Sequence, residues 1–254
     1  MYINQHNFDW AVTERELVIF VPNYRRKLLF DHTIKEMYTE VPTKDWIIII
    51  GNDGVHEDHS DLEEFNVKYF TLERPDTSER NGNKIRNFCI KRCKSKWLFQ
   101  RDPEILYRHD YIATVLKHSK PKQMLRCGDV MQLTKRATEH SLARKIDRLF
   151  EGTCRTVNPK DHTFMHYGCC LSTELLQSIH GYDECFTTWG YEDTDLFHRL
   201  QHTNCESFCL TDLQAIHMWH PPTSDGHILR EREVLYKKLD PKKIIRNGED
   251  WGNG

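Results

Sequence analysis

The chain has 254 residues, a length that suits one large domain or two small ones rather than a disulfide-stapled mini-protein. Hydrophobic residues make up 38% of it, and 36 basic residues nearly balance 38 acidic ones, for a formal net charge of -2. That balance excludes a protein that holds bare nucleic acid through an overall basic field.

No segment of the sequence approaches the run of about 20 apolar residues that spans a bilayer. The first ten residues, MYINQHNFDW, are polar and lack the apolar core of a signal peptide. The sequence therefore predicts a soluble protein of the cytoplasm.

The nine cysteines are an odd number, which argues against a disulfide framework in a chain without an export signal. Cys89 and Cys93 are four positions apart, as are Cys205 and Cys209, and this spacing formally allows zinc. Because Cys89 and Cys93 share one face of a helix-like segment, buried structural thiols are the favoured interpretation.

The first 105 residues alternate short apolar runs with helical patterns, which predicts βαβ units and a mostly parallel sheet. Ligands of such sheets bind beyond the carboxyl ends of the strands. Neither a dinucleotide fingerprint nor a P-loop is present to explain that edge. The predicted strands are 16–22, 45–50, 66–73 and 96–100, and the predicted helices are 23–41 and 85–95.

The second half of the chain is less regular. It ends in an apolar run closed by two prolines, and the final seven residues, GEDWGNG, are expected to be loose. No internal repeat or domain linker interrupts it. Strands are predicted within 122–134, 166–172 and 205–222, and helices within 109–118, 136–154 and 173–184.

Two groups of side chains suggest a metal site. Asp102 and Glu104 follow a predicted strand with one residue between them, and hard oxygen ligands of this kind suit Mg²⁺ or Mn²⁺. His217 and His220 end the last apolar run, and an imidazole ligand favours Mn²⁺. A solvated turn and partly buried histidines are the alternative interpretation of each group taken alone.

The segment TTWGYEDTDLFHRL, residues 187–200, places three carboxylates close together at the start of a predicted helix. Acids in a first helical turn are favoured by the helix dipole and can cap free backbone N–H groups. Capping explains one or two of them more easily than three. The other interpretation is a carboxylate held on a rigid helix start, ready to accept a proton from a hydroxyl group.

Four segments, in chain order, resemble the GT-A nucleotide-sugar glycosyltransferases: VPNYRR, IIIIGNDG, KIRNFCIKRCKSKWLFQRDPEI and GYDECFTTWGYEDTDLFHRL. The last is similar to the C-terminal motif of β-1,4-galactosyltransferases and polypeptide N-acetylgalactosaminyltransferases. The resemblance covers residues 16–106 and 164–222. It implies an α/β fold of the GT-A, Rossmann-like type, with a mostly parallel central sheet flanked by helices.

The resemblance also implies how a single domain is divided. Residues 1–105 would bind the nucleotide, residues 106–222 would bind the acceptor, and residues 223–254 would form a C-terminal tail. The nucleotide-sugar contacts implied by position are Pro22, Tyr24, Arg25, Asp53, Arg86 and Asn87.

For the metal, the resemblance implies Mn²⁺ or Mg²⁺ held by Asp102, Glu104 and His220, with His217 as a further or alternative ligand. The acid pair occupies the place of the family's D-x-D motif. Its second member is glutamate here, which keeps the charge but lengthens the arm.

For the chemistry, the resemblance implies that Asp193 is the catalytic base and that Glu192 binds the acceptor or donor sugar. Trp189 and Gly190 would border the sugar. The reaction implied is transfer of a hexose or N-acetylhexosamine from a UDP-sugar to a glycan or glycoconjugate, with inversion at the anomeric carbon.

Two other functions stay open at this point. The basic segments KRATEHSLARKIDRLFEGTCR and KKLDPKKIIR would suit a DNA acceptor with hydroxylated bases, although a solvated helix face is the favoured interpretation of them. The glutamate in the acid pair also allows a catalytically inactive binding protein on the same fold.

Overall fold

The computed structural model describes residues 6–37, 44–75, 81–108, 110–142, 155–156, 167–188, 190–221 and 226–253. None of the helices in those ranges is both long enough and apolar enough to cross a membrane.

The first four strands form the parallel part of one sheet, in the order β3-β2-β1-β4. Their side chains are buried almost throughout, because helices cover both faces, and this burial explains the unbroken apolar runs in the sequence. These elements are β1 Leu17–Asn23, α1 Lys27–Met37, β2 Trp46–Asp53, β3 Val67–Leu72, α2 Gly82–Arg92 and β4 Trp97–Gln100.

The second half extends the same sheet, and here the pairing is mixed. The strand order continues from β4 through β8, β6 and β9 to β5, with β7 paired to β6. Of these contacts only β6 with β9 is parallel. The elements are β5 Ile105–Tyr107, α3 Tyr111–His118, β6 Gln123–Gln132, α4 Lys135–Leu142, β7 Arg155–Thr156, β8 Cys169–Ser172, α5 Thr173–Ser178, α6 Glu192–Gln201, β9 Glu206–His217 and α7 Gly226–Lys238.

The apolar core lies in two clusters, one on each face of the sheet. Successive residues of a strand point to opposite faces, so Ile19 belongs to the first cluster and Phe20 to the second. The first cluster packs against α1 and α3, and the second against α2, α5 and α6. The predicted helix-flanked α/β sheet is confirmed, and its parallel part is the half that carries β1 to β4.

The cysteines behave as the sequence predicted. Cys89 and Cys93 are buried in the cluster beneath α2, and the described cysteines are free thiols. Burial raises the pKa of the Cys89 thiol well above its usual value, so this side chain is a neutral core group. The metal-ligand group found among the described residues contains no cysteine.

The end of the chain is packed, so the expectation of a loose GEDWGNG segment is wrong for residues 248–253. Trp251 is 7% exposed and its ring stacks on His180, with centroids 5.2 Å apart. Lys91 of α2 donates to the Trp251 carbonyl at 2.6 Å, and the Gly252 amide donates to Glu184 at 2.9 Å. The sequence contains an aromatic side chain there, but its packing partners are far away along the chain.

We expect Trp251→Ala to lower the free energy of unfolding by about 3 kcal/mol, because it empties a buried aromatic site between α2 and the loop after α5. Urea denaturation followed by circular dichroism measures this. Leu28→Ala is the control, because Leu28 is 73% exposed and its loss should change stability by less than about 0.5 kcal/mol. Equal, small effects of both changes would show that the C-terminal segment does not stabilise the domain.

Candidate active site

Glu104, His217 and His220 bring one ligand atom each within 4.8 Å of one another. His220 Nε2 lies 2.8 Å from Glu104 Oε1, and His217 Nε2 lies 3.9 Å from the same oxygen. The pairing of two strands brings these three residues together. β5 and β9 are antiparallel with Ile105 opposite His217, and the Met218 amide donates to the Glu104 carbonyl at 3.1 Å.

The electrostatics of this cluster keep Glu104 ionised. Burial alone would raise the pKa of its carboxyl group, but the contact with His220 and the charges of His217 and Arg26 outweigh burial and lower it to about 2. Burial likewise lowers the pKa of His220, and the bond to Glu104 outweighs that effect and raises it. Arg26 reaches the other ring nitrogen of His220, with Nη2 2.9 Å from Nδ1.

The cluster fits a divalent cation. Glu104 Oε2 is buried and has no hydrogen-bond partner among the described residues, an arrangement that costs free energy unless a ligand satisfies it. One carboxylate with two imidazoles is a donor set suited to Mn²⁺. The residues present therefore match the metal predicted from the sequence, and they include both histidines.

Asp102 is not one of the three residues of this cluster, although the sequence predicts that it shares a cation with Glu104. Two residues separated by one position point to the same side only within a strand. Pro103 and Glu104 form a turn ahead of β5, so this spacing does not place the two carboxylates on one side. Asp102 Oδ1 instead accepts from Arg86 Nη2 at 3.2 Å.

Arg86 links the two halves of the site. Its side chain is 4% exposed, and its guanidinium lies 5.2 Å from the ring centroid of Tyr182. Burial lowers the pKa of Arg86, but Tyr182, Asp102, Asp193 and Glu192 together outweigh burial and raise it. One buried cation thus pairs with the acid after β4 and is stabilised by the charges of the acids at the start of α6.

The three acids of α6 have three different environments. Glu192 is buried and accepts from the Gly190 amide at 2.5 Å, so it holds its own loop. Asp195 is 1% exposed and pairs with Arg199 at 2.6 Å and Arg246 at 3.1 Å. Asp193 is partly exposed at the first turn of the helix. Glu192 and Asp195 are therefore buried acids that stabilise the loop and the helix, and Asp193 is the more exposed of the three.

The loop before α6 contains two consecutive residues with positive φ angles. Gly190 has φ 118°, and Tyr191 has φ 67°, a left-handed conformation that is uncommon for a residue with a side chain. The ring of Tyr191 stacks on Tyr236 of α7 with centroids 5.3 Å apart. A Cβ atom on Gly190 would lie only 3.0 Å from Leu229. The unpredicted helix α7 thus packs directly against the acid-bearing loop.

A cleft lies at the carboxyl ends of β1 and β2, beside Glu104. Asp53 lies in it and pairs with Arg74 at 2.6 Å. Arg25 lies beside the cleft rather than in its lining, with its guanidinium 5.3 Å from the ring centroid of Tyr24. The residues lining the cleft are Pro22, Asn23, Tyr24, Arg26, Asp53, Gly82, Ile85, Pro103 and Glu104.

Asn87 stabilises the loop after α5. It is fully buried, donates to the Tyr182 carbonyl at 2.8 Å and to Glu184 at 2.9 Å, and accepts from the Tyr182 amide at 2.7 Å. These bonds fix the loop that holds Tyr182 against Arg86. Trp189, the predicted sugar wall, lies outside the described residues.

The sequence analysis missed two side chains of the site. Arg26 contacts His220 and lines the cleft, whereas the residue predicted from the sequence as a nucleotide-sugar contact is its neighbour Arg25. Tyr182 lies against Arg86, and the GYDECF segment that contains it was quoted without naming it. In both cases the segment was identified and the residue was not, because only the fold shows which side chain faces the site.

We expect Glu104→Ala and His220→Ala each to weaken Mn²⁺ binding by at least about tenfold, because each removes a ligand atom of the cluster. Isothermal titration calorimetry of Mn²⁺ into the protein without nucleotide measures this. Asp102→Asn is the matched control and should leave the affinity nearly unchanged, since Asp102 pairs with Arg86. A loss with Asp102→Asn as large as with Glu104→Ala would contradict the cluster and restore the acid pair.

We expect Asp195→Asn to lower the free energy of unfolding by about 3 kcal/mol, because it leaves Arg199, which is fully buried, without its carboxylate partner. Urea denaturation measures the change. Asp212→Asn is the control, because Asp212 is exposed and its effect should stay within about 0.5 kcal/mol. A neutral result for Asp195→Asn would mean that this acid is not needed for stability.

Comparison with known proteins points to the same part of the chain. A family model described as the N-terminal domain of galactosyltransferase matches residues 154–221, a range that includes α6 and both histidines of the metal cluster. Comparison with curated protein sequences gives no significant match.

Solved structures extend the likeness to the whole fold. GalNAc-T7 with UDP, GalNAc and Mn²⁺ has a TM-score of 0.57 at 14% identity, over 87% of this chain and 48% of that one. The mannosyltransferase PcManGT from Pyrobaculum calidifontis, in complex with GDP-Man and Mn²⁺, has a TM-score of 0.55 at 14% identity. The match covers 95% of this chain and 72% of that one. S. aureus TarS 1-349 in complex with UDP has a TM-score of 0.53 at 15% identity. The match covers 81% of this chain and 61% of that one.

This chain spans about half the length of the GalNAc-T7 chain that it matches. At these identities the likeness is one of fold. The chain has the GT-A glycosyltransferase fold.

Proposed function

We propose that the chain transfers a hexose or N-acetylhexosamine from a UDP-sugar to a hydroxyl group of a glycan or glycoconjugate acceptor. The observation that carries the proposal is the position of Arg86. It is hydrogen-bonded to Asp102 after β4, and the charges of Asp193 and Glu192 at the start of α6 act on it, which supports treating the cleft and the acid cluster as one site.

On the donor side, the cleft beside Glu104 would hold the nucleotide. Pro22 and Ile85 give it apolar walls, and Asp53 offers a carboxylate to a ribose hydroxyl. Glu104, His217 and His220 would hold Mn²⁺, and a cation bound there supplies charge that neutralises a diphosphate leaving group. Arg26, which reaches His220, adds positive charge at the same place.

On the acceptor side, Asp193 would accept the proton of the attacking hydroxyl group. It stands on the first turn of α6, whose start is fixed by Glu192 and by α7, and a base on a rigid element can be held in a productive geometry. The acceptor oxygen then bonds to the anomeric carbon while the bond from that carbon to the diphosphate breaks.

The surroundings of the three acids support inversion. Glu192 is bonded to Gly190, and Asp195 is paired with Arg199 and Arg246, so each has a role in holding the structure. Asp193 is the partly exposed acid of the first turn of α6, so it is the one we assign as the base of a single displacement. A single displacement from the face opposite the diphosphate inverts the anomeric carbon.

The structure gives less support to the other two functions. The glutamate of the acid pair lies within the histidine cluster, so the departure from D-x-D does not remove a ligand group. Of the first basic segment, the part that the structure describes ends at Leu142, and within it Lys135 lies 4.0 Å from Glu139. Neither observation favours an inactive protein or a DNA acceptor.

We expect Asp193→Asn to lower the rate of transfer by about 10³-fold, because an amide cannot accept the acceptor's proton. The assay measures UDP released from UDP-galactose, UDP-glucose and their N-acetyl forms with Mn²⁺ and a panel of glycan acceptors. UDP affinity should be retained, since Asp193 lies outside the cleft lining.

The stereochemistry of the product, followed by proton NMR of the anomeric signal, tests inversion separately. Undiminished transfer by the Asp193→Asn protein would remove Asp193 as the base. A protein that binds none of these UDP-sugars, with or without Mn²⁺, would contradict the proposed function as a whole.

A further inference from the structure

Asn23 is a buried polar residue of the cleft that the proposed mechanism does not use. It ends β1, is 1% exposed and lines the cleft beside Pro22. Its amide nitrogen Nδ2 makes two hydrogen bonds, one to Asn52 Oδ1 at 2.7 Å and one to Glu57 Oε2 at 2.7 Å. Both hydrogens of this amide are therefore in use.

The orientation of that amide is set by its neighbours. An ionised glutamate only accepts hydrogen bonds, so the group of Asn23 that meets Glu57 must be the NH₂ group. Asn52 donates its own Nδ2 to the Glu57 carbonyl at 2.8 Å, which leaves Asn52 Oδ1 facing Asn23. Glu57 thus acts on Asn23 directly through its carboxylate and indirectly through Asn52.

The remaining polar atom of Asn23 is its carbonyl oxygen. Oδ1 is buried and has no hydrogen-bond partner among the described residues. A buried acceptor left unpaired is unfavourable, and such groups in proteins nearly always find a donor. Since Asn23 lines the cleft, the missing donor is best supplied by a ligand bound there.

We propose that Asn23 selects the base of the nucleotide by accepting a hydrogen bond from a ring N–H group of uracil or guanine. This inference rests on the proposed function, because it assumes that the cleft holds a nucleotide. Uracil and guanine carry a hydrogen on the ring nitrogen of their pairing edge, whereas cytosine and adenine have a lone pair there. A fixed carbonyl oxygen attracts the first pair of bases and repels the second.

The walls of the cleft suit this assignment. Pro22, Tyr24 and Ile85 flank Asn23 with apolar and aromatic surface, which favours a flat ring over a flexible chain. Sites built to pair with a ligand N–H group discriminate strongly against analogues that lack it, because the site's own polar group is then left unpaired.

The test measures the dissociation constants of UDP, GDP, CDP and ADP in the presence of Mn²⁺ by isothermal titration calorimetry. For the unmodified protein, UDP or GDP should bind at least about tenfold more tightly than CDP and ADP. The UDP and GDP measurements show which of the two bases fits. In Asn23→Ala this preference should fall to within about threefold, because the selecting oxygen is gone.

Glu57→Gln is the second variant and keeps a side chain of the same shape. A glutamine amide can donate as well as accept, so Glu57→Gln removes one of the two contacts that fix the Asn23 amide and leaves the contact with Asn52 Oδ1. The preference for UDP over CDP should then narrow while a nucleotide is still bound. This result distinguishes a selecting role from a loss of folding.

Asn66→Ala is the matched control. Asn66 is another asparagine of the same parallel sheet, but it precedes β3 at the opposite end from the cleft and bonds to the Trp46 carbonyl. The preference for UDP over CDP should be unchanged in this protein.

Equal binding of UDP and CDP by the unmodified protein, or an unchanged preference in both Asn23→Ala and Glu57→Gln, would overturn the role of Asn23 and leave the proposed function in place. Binding of none of the four nucleotides would contradict the proposed function, and with it this inference.

Discussion

The site depends on a positive charge held inside the protein at Arg86. A guanidinium group stays protonated at any ordinary pH, and burying it is unfavourable unless acids lie nearby. Asp102 approaches it from the end of β4, and Asp193 and Glu192 approach it from α6. The attraction between this cation and its acids therefore favours the arrangement in which the two halves of the chain meet.

The metal cluster depends on strand pairing between distant parts of the chain. Glu104 stands just before β5, and His217 ends β9 more than a hundred positions later. The antiparallel register of β5 and β9 places Ile105 opposite His217 and so brings Glu104 beside the end of β9. The sequence contains these residues in recognisable segments, but which side chains meet is fixed only by the register.

Much of the fold could be predicted from the sequence because its signals are local. β1 and β2 are buried on both faces, so each is a continuous apolar run that periodicity detects directly. The Arg199 partner of Asp195 is also local, one helical turn away. Arg246 is not local, and neither are the contacts that bury Trp251. For that reason the packed end of the chain was predicted as loose, and the ion pairs of Asp195 were not predicted.

The close contact between Gly190 and Leu229 has a consequence for how this region can vary among related chains. A side chain at position 190 would be strained by the backbone angle and would crowd Leu229 of α7. Replacement of Gly190 is therefore easier if Leu229 becomes smaller at the same time and the loop changes conformation. In an alignment of relatives, the two positions should change together or not at all.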